Sequence, residues 1–170
     1  MDERAIDHLH KVEIFGGLNN TELAQVAGMC QAVRVDAGRT VFKEGDAGNE
    51  LYIIHEGHVR VLINTRRPDG SIGQSTINVL YSGQSFGELI LLDNSHRSAT
   101  IITMVPTTLI MIHHTQFLEL CETNPRIGYR VISNIARDLT YKLRSSNLLL
   151  RGNIRWNLDD TSTKTKEHGA

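Results

Sequence analysis

The chain lacks a cysteine framework. It contains only two cysteines, Cys30 and Cys121, which lie far apart and form no CxxC pattern. Disulfide scaffolds and thiolate metal sites need several cysteines at short, regular spacings. We therefore expect two reduced, mostly buried thiols.

The chain also lacks an excess of charge of either sign. Lysine and arginine total 18, aspartate and glutamate total 19, and the formal net charge is −1. Proteins held to nucleic acid by phosphate contacts usually carry a basic excess or a basic stripe, and neither is present here. A small acidic ligand remains compatible with this balance, because one well-placed arginine is enough to hold it.

Long apolar runs are absent as well. No run approaches the ~18 residues that a membrane helix needs, and the charged N-terminus has no signal-peptide core behind it. We therefore expect a cytoplasmic chain with no membrane contact. The 170 residues, of which 40% are hydrophobic and 22% charged, have the composition of one globular domain.

Periodicity divides the chain into helical ends and a strand-rich centre. Residues 1–31 have rough helical spacing, and short apolar runs separated by glycine-rich turns follow. This density of short strands predicts a sandwich or barrel over 32–114, with a hairpin tip at 67–71. The predicted strands are 33–35, 40–42, 51–55, 59–63, 76–81, 99–104 and 109–113.

The C-terminal third has a helical pattern. Residues 115–150 predict two helices, the second starting at Pro125 and ending near Leu150. Its apolar positions recur every three or four residues: Ile127, Val131, Ile132, Ile135, Leu139 and Leu143. The polar segment 151–170 predicts a mobile tail.

Segment 83–100 carries the chemistry. It contains Gly87, the carboxylate of Glu88, an apolar turn, a polar loop and then Arg97 beside a hydroxyl. Exposed N–H groups at a helix start bind anions, and a guanidinium matches phosphate oxygens. A carboxylate beside them would repel free phosphate, but it can accept hydrogen bonds from a ribose. The combination favours a sugar phosphate over inorganic phosphate.

The same segment resembles the phosphate-binding cassette of the cyclic-nucleotide-binding domain family. Residues 86–89 read FGEL and residues 97–100 read RSAT, which fill the family pattern. Residues 44–46 (EGD) and 51–57 (LYIIHEG) resemble its loop and strand before the cassette. The likeness runs from Leu18 to about Leu148. The family includes bacterial catabolite activators and regulatory subunits of the cAMP-dependent protein kinase.

The resemblance implies a fold and a function. The fold is mainly β with flanking helices, a double-stranded β-helix (jelly-roll) barrel with cassette 83–100. The function is that of a non-enzymatic sensor that binds cAMP or cGMP. Glu88 would accept from the ribose 2′-OH, Arg97 would pair with the cyclic phosphate, and Ser98 would add a hydroxyl. The N–H groups of Gly87, Leu89 and Ile90 would donate to the sugar and phosphate. The other two cassette residues are Phe86 and Ala99.

The residues that would face the base stay open. Val61, Ile77 and Val79 are candidate walls of a base cavity or ordinary core residues. Lys142 and Leu143 stand where the bacterial activator places Thr and Ser against adenine, so the neighbouring Arg144, Ser145 and Ser146 are candidate substitutes. The sequence leaves the choice between cAMP and cGMP undecided.

A metal-dependent enzyme on a similar barrel is the first alternative. It would have to use His55, His58, His113 and His114, but the first two straddle a turn and the last two are adjacent. Adjacent strand residues point to opposite faces, whereas metal ligands must converge. We therefore expect no metal site and no catalytic nucleophile.

Two further alternatives concern the whole protein. The chain could be a fragment of a catabolite-activator-type transcriptional regulator, since 151–170 is too short for a helix-turn-helix domain. It could also be a ligand-free scaffold barrel.

Helix 126–150 has enough apolar positions for a seam between two chains, so we expect a parallel homodimer. Ligand binding would then reposition this helix.

Overall fold

The computed structural model describes the backbone of residues 3–93 and 96–164, and the side chains of 6–92 and 96–144. The chain divides into two compact units, Met1–Asn134 and Ile135–Ala170. The first unit contains the helices of the N-terminus and all the strands described below. The second unit consists of the continuation of the last helix.

The N-terminal segment is helical, as predicted. It comprises α1 (Glu3–Leu9), a single 3-10 turn (Glu13–Phe15) and α2 (Asn20–Ala27). Helix α2 begins with a capping box, in which Asn19 Oδ1 accepts from Glu22 N at 3.0 Å and Glu22 Oε2 accepts from Asn19 N at 2.9 Å. This reciprocal pair satisfies two backbone donors that a helix start otherwise leaves unpaired.

The centre of the first unit is built from antiparallel strands. Two four-stranded sheets have the orders β1-β8-β3-β6 and β2-β7-β4-β5. The prediction of a mainly β fold with flanking helices is confirmed. The strands are β1 Gln31–Val35, β2 Thr40–Phe42, β3 Glu50–Glu56, β4 His58–Arg66, β5 Ile72–Tyr81, β6 Ser85–Phe86, β7 Thr100–Thr103 and β8 Thr107–His113.

Two features of the strands differ from the sequence prediction. Strand β6 has only two residues, too few for alternation to reveal, and forms by pairing with β3. Strands β4 and β5 are longer than predicted and run to the hairpin tip, where Arg67 N donates to Ser71 O at 2.9 Å. Gly70 has φ +82° in this tip, which is the turn predicted over 67–71.

The core lies between the two sheets. A central cluster of six buried residues draws on six strands from both sheets, so their inner faces oppose each other. Its members are Ile54, Val59, Leu80, Phe86, Ile101 and Leu109. Each such side chain contributes roughly 1.5–3 kcal/mol when fully buried. Phe86 belongs to this cluster, so the start of the predicted cassette is anchored in the core.

Two helices follow β8. Helix α4 spans His114–Thr123, and α5 starts at Pro125 as predicted. The first turns of α5 are tied to the N-terminal segment. Arg126 pairs with the buried Glu22, and Asn134 Nδ2 donates to Ile14 O at 3.1 Å and Gly16 O at 2.9 Å. The hydrogen bond from Arg126 lowers the pKa of Glu22.

Helix α5 extends to Lys164, beyond the predicted end near Leu150. No proline follows Pro125 in this stretch, and Gly152 costs a helix only about 1 kcal/mol relative to alanine. Polar composition alone therefore does not end the helix. Residues 165–170 of the predicted tail lie outside the described residues.

Both cysteines are free and partly buried, and burial raises the pKa of the Cys30 thiol to about 12. Within residues 3–93 and 96–164, no helix is long and apolar enough to span a membrane.

A pair of histidines joins α1 to the end of β3. The rings of His8 and His55 meet edge to face, with centroids 4.1 Å apart. His8 Nε2 is buried and has no hydrogen-bond partner among the described residues. Burial, and then the neighbouring His55 and Lys11, lower the pKa of His8. The folded state therefore favours the neutral ring.

This contact predicts a loss of stability on acidification. Because His8 binds a proton more weakly folded than unfolded, the free energy of unfolding should fall as the pH drops from 7.5 to 5.5. The fall should be smaller in His8→Asn than in the control His10→Gln, as measured by denaturant unfolding at both pH values. Equal pH dependence in the two variants would contradict a neutral His8 in the fold.

Candidate binding site around Arg97

Strand β6 lies within cassette 83–100, and the candidate binding residues follow it. Pairing of Phe86 with Tyr52 on β3 fixes the entry, and Gly87 then turns the chain with φ +77°. A Cβ on Gly87 would lie 2.6 Å from Arg97 Nη1 and 3.1 Å from Glu50 O. Glycine is therefore required here both for its backbone conformation and for the close approach of Arg97.

Glu88 and the short helix α3 (Ile90–Asp93) follow. Glu88 is 8% exposed, and its carbonyl accepts from Leu91 N at 3.0 Å. Leu92 N donates to Leu89 O at 2.9 Å. Ile90 is buried, so this turn is held by the core. Residues 94 and 95 of the cassette lie outside the described residues.

Arg97 is buried and its backbone is fixed by the loop before β3. Arg97 N donates to Asp46 O at 2.9 Å, and Gly45 N donates to Arg97 O at 2.8 Å. The side chain is only 4% exposed. Two segments that are distant in sequence, the 44–49 loop and the cassette, therefore meet at this residue.

The guanidinium of Arg97 has partners on several sides. Nη1 donates to Glu50 O at 2.8 Å, and Nη2 donates to Glu50 Oε2 at 2.9 Å. The Phe42 ring centroid lies 4.2 Å from the guanidinium carbon, and that of Tyr52 lies 5.8 Å away. A cation over an aromatic face is attracted by the ring quadrupole. These contacts hold the charge in one place.

One nitrogen of this guanidinium, Nε, differs from the other two. Arg97 Nε is buried, and among the residues that the structure describes it has no hydrogen-bond partner. Buried polar atoms are nearly always satisfied, so an orphan of this kind calls for an explanation. An arginine keeps its proton at Nε at all ordinary pH values. The atom therefore suits an anionic oxygen from outside the described residues.

The residues after Arg97 have distinct environments. Ser98 is exposed, Ala99 is partly buried, and Thr100 is 3% exposed at the start of β7. Thr100 Oγ1 accepts from Glu44 N at 3.0 Å and from Gln74 Nε2 at 3.4 Å. Thr100 thus fastens the 44–49 loop to the second sheet, while Ser98 stays accessible.

The candidate base-cavity residues do not share one face. Val61 packs against the core cluster, and its β5 partner is Asn78. Val79 pairs with Arg60, the residue before Val61 on β4. Successive strand residues point to opposite faces, so Val79 lies on the opposite face of the sheet from Val61. Ile77 has no partner because the register shifts at that point, and it is 56% exposed. The candidate Arg144 is exposed on α5 in the second unit, and the side chains of Ser145 and Ser146 lie outside those that the structure describes.

Three residues of this site escaped the sequence prediction: Phe42, Gly48 and Glu50. A Cβ on Gly48 would lie 2.3 Å from Arg97 Nε, so the absence of a side chain there lets the guanidinium fit. Gly48 and Glu50 flank the end of the 44–49 loop, whose match to the family pattern was the only signal available. Nothing local to Phe42 indicates its stacking on an arginine 55 positions later.

A metal ion would need His, Cys, Asp or Glu side chains that converge. Among the side chains of residues 6–92 and 96–144, no three of these come together in a way that could hold a metal ion. The chemistry of the site rests on the positive Arg97, the carboxylates of Glu50 and Glu88, and N–H groups. Such a set binds an anionic oxygen and hydroxyl donors at the same place.

Known proteins with similar sequences bear on what this site binds. The model of the cyclic nucleotide-binding domain matches residues 32–124. The cyclic AMP receptor protein of Thermus thermophilus is 28% identical over 137 residues, which cover 81% of this chain and 60% of that protein. The cGMP-dependent protein kinase egl-4 of Caenorhabditis briggsae is 31% identical over 101 residues, covering 59% of this chain and 13% of the kinase.

A solved structure agrees. A cyclic nucleotide-binding domain from Methylobacillus flagellatus superposes with a TM-score of 0.71 at 26% identity, covering 85% of this chain and 79% of that one. The curated relatives are longer than the matched region, and the chain spans less than two thirds of either.

The close approach of Gly48 to Arg97 predicts the effect of a methyl group. Gly48→Ala should lower the free energy of unfolding by about 1–3 kcal/mol, the usual cost of overpacking, because the guanidinium is held by Glu50 and Phe42 and cannot yield freely. Denaturant unfolding measures this. Gly28→Ala is the matched control, since its nearest contact would be 3.3 Å.

The same measurement in an Arg97→Ala background identifies the cause. If the guanidinium is what the methyl group meets, the cost of Gly48→Ala should largely disappear there. An equal cost in both backgrounds would show that Gly48 is required for some other reason.

Proposed function

The chain belongs to the cyclic nucleotide-binding domain family and is a cyclic nucleotide-binding regulatory domain, and on that premise we propose how it binds and signals. The observation that carries the proposal is the buried, unpartnered Nε of Arg97. A cyclic phosphate supplies the anionic oxygen that this donor lacks.

We assign the roles in the site as follows. Arg97 pairs with the phosphate through Nε, and Glu88 accepts from the ribose 2′-OH. The N–H groups of Gly87, Leu89 and Ile90 serve the sugar and phosphate. Ser98 is exposed and adds a hydroxyl. Phe86 anchors the turn in the core, and Ala99 leads into β7.

The base preference stays between cAMP and cGMP. One relative is named a cyclic AMP receptor protein and another a cGMP-dependent kinase. Val61 is the candidate wall residue that lies on the inner face, so we keep it as the base contact from the barrel. Arg144 remains the candidate from α5.

The arrangement of strands supports a jelly-roll barrel. In the orders β1-β8-β3-β6 and β2-β7-β4-β5, strands that follow one another alternate between sheets except at the β4–β5 hairpin. We propose that the two sheets form the double-stranded β-helix of this family, with the cassette at the β6–β7 connection.

Signalling would pass through α5, and two such helices would form a homodimer. Leu143 is 62% exposed and continues the series of Ile135 and Leu139 at steps of four on the part of α5 that lies in the second unit. An exposed apolar side chain in such a series favours contact with a second helix. The chain then acts as a cytoplasmic, non-enzymatic sensor. A catabolite-activator-type regulator, of which this chain would be the sensor portion, is the alternative that relatives of greater length support.

Calorimetric titration with cAMP and with cGMP tests the proposal. We expect binding of at least one nucleotide, weakened about 30-fold or more in Arg97→Ala, because removing one partner of a buried charge pair costs about 2 kcal/mol or more. Arg97→Lys keeps the charge but lacks Nε and should also bind weakly. Arg66→Ala, an exposed arginine on β4, should bind normally. Failure of both nucleotides to bind at millimolar concentration would favour the ligand-free scaffold.

Hydrogen exchange over residues 126–150 tests the signalling step. Saturating nucleotide should change exchange rates in α5 by about fivefold or more, since coupling free energies are typically 1–3 kcal/mol. Strand β1 serves as the internal reference, and Arg97→Ala at the same nucleotide concentration should show no change. Unaltered protection of α5 in a saturated protein would contradict the helix movement.

A further inference from the structure

We propose that Glu50 is a positioning residue of this site whose carboxylate neutralises Arg97 while no ligand is bound. The same carboxylate competes with the phosphate of an incoming ligand. Glu50 therefore lowers the affinity for ligand. The inference rests on the proposed function of Arg97 as the phosphate partner. It concerns a residue outside cassette 83–100.

The first step is the charge balance of the free site. The Arg97 side chain is 4% exposed, and its ion pair with Glu50 Oε2 is 2.9 Å long. An uncompensated buried charge is strongly destabilising, so this carboxylate stabilises the free fold. Glu50 itself is 26% exposed. It can therefore turn toward solvent if another anion replaces it.

The second step is that the carboxylate is not needed to aim Arg97. The backbone carbonyl of Glu50 accepts from Nη1 at 2.8 Å whatever side chain stands at that position. The Phe42 ring centroid lies 4.2 Å from the guanidinium carbon, and the backbone at Gly48 and Gly87 packs closely against the guanidinium, since a Cβ there would lie 2.3 Å from Nε and 2.6 Å from Nη1. The guanidinium thus keeps its position without the carboxylate. The carboxylate also accepts from Asn49 N at 3.1 Å, a bond that a glutamine oxygen can replace, so what a glutamine would remove is the charge.

The third step is the proximity of two anions. Nε and Nη2 belong to the same guanidinium, so an oxygen bound at Nε would lie within about 6 Å of the Glu50 carboxylate, the range over which charges shift each other's equilibria. A like charge at about this separation shifts an ionic equilibrium by roughly tenfold or more. Partial exposure of Glu50 screens the repulsion, which places the expected effect at the lower end of that range.

The test compares Glu50→Gln with the wild type in two measurements, calorimetric affinity for cAMP and cGMP and thermal unfolding with and without nucleotide. Glutamine keeps an acceptor oxygen for Nη2 and removes only the charge. Without nucleotide, Glu50→Gln should unfold at a lower temperature than the wild type. Its affinity for the preferred nucleotide should be about five- to tenfold higher, and saturating nucleotide should remove the difference in unfolding temperature. Glu56→Gln, an exposed residue at the end of the same strand, is the control and should change neither measurement.

The outcomes separate this inference from the proposed function. If the wild type binds nucleotide and Glu50→Gln binds equally or more weakly, Glu50 merely supports the fold and the inference fails, while the function of Arg97 stands. If neither protein binds either nucleotide, the proposed function fails and the inference with it. Binding by Glu50→Gln where the wild type binds weakly or not at all would support both.

Discussion

The site depends on the burial of one positive charge. Removing a guanidinium from water is costly unless its surroundings replace the lost hydration. Around Arg97 this is done by the carbonyl and carboxylate of Glu50, by the Phe42 ring and by the close packing of two glycines. One direction of the guanidinium, at Nε, is left without compensation in the described part of the protein. The same constraint that shapes the site therefore also makes it receptive to an anion.

The fold brings the required groups together from distant parts of the chain. The β3–β6 pairing places Gly87 next to the end of the 44–49 loop, and Thr100 at the start of β7 fixes Glu44 in that loop. Phe42 comes from β2, in the sheet that β7 joins. Separately, Arg126 and Asn134 tie the beginning of α5 to the N-terminal helices. A change that shifts the start of α5 would therefore also alter its contacts with the N-terminal segment.

Local patterns were enough to predict much of the fold and to single out the residues that we propose for the centre of the site. Alternation located seven of the strands in approximately the right places, and Pro125 marked the start of α5. Glu88 and Arg97 could be proposed because the cassette pattern lies within one short segment, and the structure buries both. The same is true of the hairpin tip, where Gly70 supplies the required positive φ.

What could not be predicted depends on contacts between distant residues. Strand β6 exists because β3 is beside it, and a two-residue strand has no period of its own. The pairing of Glu50 with Arg97 spans 47 positions, and no local signal marks it. Val61 and Val79 were candidates for cavity walls or core from the sequence. Strand register places them on opposite faces of the sheet, and register is a property of the pair of strands. The end of α5 was misplaced because polar composition does not by itself stop a helix.

The central claim is that Arg97 Nε is the donor that receives the ligand, and NMR spectroscopy of the arginine side chains tests it most directly. The Nε–H signal of Arg97 can be assigned by its absence from Arg97→Lys. On saturation with the bound nucleotide, this signal should move downfield and its exchange with water should slow, because the proton enters a charge-assisted hydrogen bond. If other signals report a saturated protein while the Arg97 Nε–H signal keeps its position and exchange rate, the phosphate is bound elsewhere and the account is wrong.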